Sequence, residues 1–155
     1  MKLIKNVLTL GSGIEPNPIE DMWIVTGQEQ VDGTMMSLLR NTKSSATIIC
    51  PRINWIDSEF IDTFARKLEL VTNTTAHTDE DKAILSKLLG MGNVVVKDDP
   101  NLTVMMATRD GIEEGFLGHK APSGVPLLIV SFNEEMVREI TKIYHDFRSR
   151  APLRQ

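Results

Sequence analysis

Several things are scarce or missing in this sequence, and each shortage narrows what the protein does. A single cysteine, Cys50, permits neither an internal disulfide nor a CxxC zinc pair. The histidines, His77, His119 and His145, lie far apart with no HxxxH or HExxH spacing, so no metal site and no cofactor is expected. Basic residues form no dense run except near the C-terminus, and 17 Lys and Arg against 21 Asp and Glu leave a net charge of -4. Non-specific nucleic-acid binding needs clustered cations against phosphates, so no direct nucleic-acid contact is expected from this chain. No apolar run approaches the roughly 20 residues of a membrane span, and residues 1–10 are too short and too broken by Lys2, Lys5 and Asn6 for a signal peptide. A cytoplasmic protein without a membrane partner is the expectation.

What is present is an ordinary globular composition, 41% hydrophobic and 25% charged over 155 residues, which fits one domain over 1–155 with one core. Residues 1–20 read as an N-terminal strand or arm. The Gly11-Ser12-Gly13 pattern within it is followed by Pro16 and Pro18, which oppose the helix start a phosphate-cradling loop requires.

Beyond that arm the sequence alternates strands and helices. Met22 to Thr26 is a β-favouring run ended by Gly27. Val31, Met35, Leu38, Leu39 and Thr42 then recur at helical spacing over 28–43. Residues 46–50 form an apolar strand cut off by Pro51, and Asp57 or Ser58 caps a helix bearing Phe60, Ile61 and Phe64. Residues 68–72 form the next strand, followed by a helix capped by Thr78 and ended by Gly90 or Gly92. Residues 94–118 hold apolar runs around a turn at Asp98, Asp99 and Pro100. A strand over 125–131 follows, then a closing helix from Asn133 with a stripe of Met136, Val137, Ile140, Ile143, Tyr144 and Phe147. Helices interleave with strands in the first half and strands gather in the second. The pattern predicts an α/β fold with a mixed central sheet flanked by helices.

Where a catalytic sheet would carry its reactive side chains, Leu102 to Arg109, the residues are Leu, Thr, Val, Met, Met, Ala, Thr and Arg, which argues for a regulatory or binding module over an enzyme. Cys50, beside Pro51 with no neighbouring His or Lys, reads as a buried thiol. Asp98 and Asp99 read as a polar turn. Arg148, Arg150 and Arg154 read as charge favourable to a helix C-terminus. A receiver domain would want acidic residues where Gly11-Ser12 or Thr26-Gly27, and Thr72-Asn73, stand.

The strand Asp21-Met22-Trp23-Ile24-Val25-Thr26-Gly27, a helix and the strand from Ala46 to Pro51 together resemble the opening of the phospholipase D-like sensor domain of TrmB-type archaeal transcription regulators. The resemblance covers a core over 21–150 and rests on topology and spaced apolar residues. It implies a phospholipase D-like α-β-α sandwich that senses a small effector, sugars in some members, and pairs as a dimer. In such regulators the domain sits behind a helix-turn-helix; none with a basic recognition helix precedes Met22 here. Catalytic phospholipase D-type enzymes carry HxKxxxxD, with a histidine nucleophile, a lysine for phosphate charge and a supporting aspartate. With Asp110 in the aspartate place, Thr103 stands for the histidine and Met105 for the lysine, and neither can do that work. No catalytic residue is therefore expected, and the chain is uncertain but not expected to be an enzyme.

Residues that follow strands are the candidates for the effector: Pro51, Arg52, Asn54, Trp55, Asn73 and Thr74. The alternatives are a degenerate phosphoester hydrolase using Asp110, His119 and Lys120, and a structural assembly subunit. The bland reading of His119 and Lys120 places them on the surface in a glycine-bounded turn.

Overall fold

A computed structural model describes residues 22–75, 78–111, 113–120 and 124–150. The N-terminal arm with its glycine pattern, His77, and Arg154 fall outside these, as do the side chains of Lys120, Tyr144, Phe147, Arg148 and Arg150. The described chain runs β1 (Met22–Thr26), α1 (Gln28–Asn41), β2 (Ser45–Ile49), α2 (Ser58–Thr63), β3 (Lys67–Thr72), α3 (Asp79–Leu89), β4 (Val94–Asp98), β5 (Val104–Arg109), β6 (Glu114–Lys120), β7 (Pro126–Ser131) and α4 (Glu134–Arg150).

The helix starts follow from local chemistry. Asp57 accepts from the amides of Glu59 and Phe60 ahead of α2, Thr78 accepts from Asp81 N ahead of α3, and Asn133 accepts from Met136 N ahead of α4. Helix α1 has no side-chain cap. It begins instead from Gly27, whose φ of 92° an L side chain rarely adopts, and whose amide donates to Pro126 O.

All seven strands form one sheet in the order β1-β7-β6-β5-β2-β3-β4. The helix-linked strands β2, β3 and β4 run parallel, while β2 to β5, β5 to β6, β6 to β7 and β7 to β1 are antiparallel. Successive strand residues face opposite sides. Ala46, Ile48, Leu68, Leu70, Met105 and Ala107 point to one core, shared with Val31, Met35, Leu38 and Leu39 of α1, Ile61 of α2 and Ile84 and Leu88 of α3. Ile49, Val71 and Met106 point the other way and meet Ile140 of α4. The result is the mixed α-β-α sandwich that the sequence predicts.

Two expectations are corrected. On α4 the stripe is narrower than its periodicity suggests: Val137 and Ile140 are buried, but Ile143 is 39% exposed. His119 and Lys120 lie in strand β6 and not in a turn. The chain reverses earlier, where Asp110 and Gly111 take φ of 51° and 78°. From there an unbroken register pairs Arg109 with Glu114 and Val104 with His119. Gly118 is required within that strand, because a Cβ there would lie 2.0 Å from Leu127 O.

Candidate functional site

The strand polarities bring one set of chain ends together. β2 leaves the sheet where β5 enters it, β6 leaves beside that entry, and β7 begins next to the end of β6. A cleft of about 580 Å³ opens there, lined by Gln28, Pro51, Arg52, Leu102, Thr103, Val104, Met105, His119 and Pro126. This volume lies within the range of roughly 300 to 1,000 Å³ that small-molecule sites occupy.

The wall of the cleft is largely apolar, with Leu102 and Met105 nearly buried beneath it. Its polar lining is Gln28, Arg52, Thr103 and His119. Arg52, in the loop after β2, donates through Nη2 to Asp32 Oδ1 on α1 and through Nη1 to Asn54 Oδ1. Gln28 Nε2 donates to the same Asp32 oxygen at 2.9 Å. Burial pushes the Asp32 carboxyl above its ordinary value, with the Arg52 charge and hydrogen bond opposing that shift. His119 lines the same cleft from the end of β6.

The six effector candidates do not converge. Pro51 and Arg52 line this cleft. Asn54 contacts it only through its bond to Arg52, and lines a separate depression with Ser58, Asp81 and Lys87. Trp55 is 4% exposed and packs in the core, its Nε1 donating to Arg52 O at 3.0 Å. It supports the loop that carries Arg52, because a buried indole N–H needs an acceptor and finds that carbonyl. Asn73 and Thr74 belong to the loop after β3, where Asn73 accepts from Thr75 N and Thr74 donates to Asp98 Oδ1. Cys50 is fully buried, and loss of solvent pushes its thiol up to about 11, which suits a packing role.

The motif positions divide. Thr103 and Met105 line the cleft, but Asp110 lies past the other end of β5. At about 3.3 Å per residue, that strand carries it roughly 20 Å from Thr103. There its Oδ1 receives Ser44 N at 2.7 Å, Ser45 N at 3.2 Å and Ser44 Oγ at 3.0 Å, while Oδ2 receives Lys43 N at 2.9 Å. Arg109 Nη1 adds a contact to Asp110 at 3.1 Å, and its Nε reaches Glu114 at 2.7 Å. Burial alone would raise the Asp110 pKa, yet the amide donors of Lys43, Ser44 and Ser45 outweigh it and hold the carboxyl far below the ordinary range. Burial likewise opposes the Arg109 charge, but bonds to Glu114 and Asp110 prevail and its pKa is raised.

Sequence reasoning missed Gln28, Leu102, Val104 and Pro126 as cleft residues, and placed His119 elsewhere. One signal was available for His119. Asp110-Gly111 is a turn pair that announces a strand returning toward Val104, and the four-residue connection over 110–113 then sets Val104 opposite His119. For the others no local pattern exists, because their meeting depends on strand order. Among the described residues, no group of three or more His, Cys, Asp or Glu side chains could hold a metal ion, and no helix is long and apolar enough to cross a membrane.

No family model and no curated protein matches the chain. Solved structures do match it, and the fold they define is the phospholipase D-like one, in both its enzyme and TrmB-type forms. TrmBL2, an archaeal chromatin protein described as having a novel mode of DNA binding, is similar at a TM-score of 0.68 and 11% identity over 95% of this chain. The match spans 59% of TrmBL2. Nuc from Salmonella typhimurium, a phospholipase D family member, is similar at a TM-score of 0.59 and 10% identity, covering 86% of this chain and 99% of Nuc. NucT from Helicobacter pylori gives 0.56 and 13%, covering 86% of this chain and 98% of NucT.

Proposed function

We propose that this chain is a non-catalytic effector-sensing and dimerisation domain related to TrmB-type regulators, which leaves DNA contact to another segment or partner. The observation that carries the reading is the cleft of about 580 Å³ in which Thr103 and Met105 stand where a nucleophile and its lysine would be. The site has the size for a small molecule and, at those two positions, neither a base-activated nucleophile nor a cation for phosphate. Its effector would favour one arrangement of two protomers over another, shifting the population by its difference in affinity for the two.

Thermal-shift measurements with a panel of sugars and nucleotides test the sensing role, together with mass in solution with and without each compound that acts. Stabilisation by one compound class, lost when Val104→Trp fills the cleft, is the expected result. A monomer at every concentration whose stability no compound changes overturns the proposal. Binding of duplex DNA by this chain at physiological salt would remove the division of labour. The hydrolase alternative needs Asp110 beside His119 and Lys120, and these stand at opposite ends of the sheet. Hydrolysis of bis-p-nitrophenyl phosphate that is abolished by His119→Ala would nevertheless restore it.

A further inference from the structure

We propose that the cleft takes a small monocarboxylate with an apolar tail, whose carboxylate replaces Asp32 on the Arg52 guanidinium. The proposal rests on the sensing reading and names its ligand class. Its first support is the composition of the wall. Pro51, Leu102, Val104, Met105 and Pro126 present carbon to the opening, which suits an alkyl or aryl tail more than a sugar needing a hydrogen-bonding partner for each hydroxyl.

The second support is a charge count at Arg52. Arg52 is the cleft's one arginine, and Asp32 already takes its Nη2. One acceptor carboxylate already fits this position, so a second carboxylate can take over the same donor, and the site gains no net charge where Asp32 takes up a proton as it is released. A phosphate dianion would bring one negative charge more than a carboxylate to the same guanidinium. Asp32 is a serviceable leaving partner. It keeps Gln28 Nε2 as a donor at 2.9 Å after release, and its burial already works against its ionised form.

The third support is position. The bridge joins the loop after β2 to helix α1, so exchanging its acceptor removes one of the ties between them, while Asp57 keeps its contacts to Arg40 and Met36. A ligand that breaks the bridge thereby reaches an element that forms no part of the apolar wall beyond Gln28.

Titration calorimetry on the full chain with butanoate, hexanoate and octanoate, alongside octanamide, octyl phosphate and glucose, tests the assignment. Affinity should rise about fourfold for each added methylene. Octanoate should bind about tenfold or more tightly than octanamide, the difference a charge-assisted bond makes. Arg52→Gln should erase that preference, whereas Asp32→Asn, which removes the competing carboxylate, should tighten octanoate binding. Circular dichroism of both variants separates these effects from misfolding. Equal binding of octanoate and octanamide, preference for octyl phosphate or glucose, or weaker octanoate binding by a folded Asp32→Asn variant overturns the ligand class and leaves sensing standing. Failure of every compound, sugars and nucleotides included, overturns both.

Discussion

The two ends of strand β5 carry different kinds of chemistry. At its entry, Thr103 and Met105 line an apolar cleft and contribute no group able to attack or to neutralise phosphate. Past its exit, Asp110 is bonded to three successive amides and a hydroxyl from the turn between α1 and β2. The residue that matches the enzyme motif is therefore the one with a scaffolding task. A carboxylate at such a position can be kept for the loops it ties, so a residue that matches a motif is by itself poor evidence for a reaction.

The sharpest way to break this contrast is at the aspartate. Asp110→Ala strands the donors of Lys43, Ser44 and Ser45 and leaves Arg109 short of a partner, so it should cost about 3 to 5 kcal/mol in urea unfolding. A cost below about 1 kcal/mol would mean that the turn does not depend on the carboxylate.

The pH dependence sharpens the same point. Asp110 has a folded pKa depressed below its unfolded value, so its contribution is complete above the unfolded value and fades as pH falls toward the folded one. The stability difference between wild type and Asp110→Asn should hold steady above about pH 5 and shrink below about pH 4. A difference that does not change across that range would mean that the charge is irrelevant there.

At the cleft end, effects should be smaller and should separate packing from lining. Met105→Ala removes a side chain that also belongs to the core under α1, and should cost about 2 to 3 kcal/mol. Gly118→Ala drives a methyl toward Leu127 O and should cost about 1 to 3 kcal/mol by unfolding. Thr103→Ala, at an exposed position, should change stability by less than about 0.5 kcal/mol. A large loss at Thr103 would show that this end, too, is structural.

Much of the architecture was legible because element boundaries carry chemical marks. Asp57, Thr78 and Asn133 cap the helices that the sequence assigns to them, and Gly90 closes α3. The central sheet with flanking helices followed from the order of these elements. The site was less legible for two physical reasons. Strand order decides which ends meet, and nothing in the local pattern of β7 or of Leu102 says that they lie beside Arg52. Trp55 reads in the sequence as an effector candidate after a strand, since sequence cannot reveal that its N–H has a carbonyl within 3.0 Å and its ring a place in the core.

Strand β1 carries a consequence in time. It pairs along its whole length with β7, so, among the described residues, 22–26 find their strand partners in residues 127–131. At roughly 5 to 20 residues per second, a ribosome would deliver those partners about 5 to 20 seconds after β1 itself. Until then β1 has an unsatisfied edge, and its docking should belong to the late phase of folding, after the locally connected β2, β3 and β4 have formed. The first of the described strands to be made would be among the last to find its place.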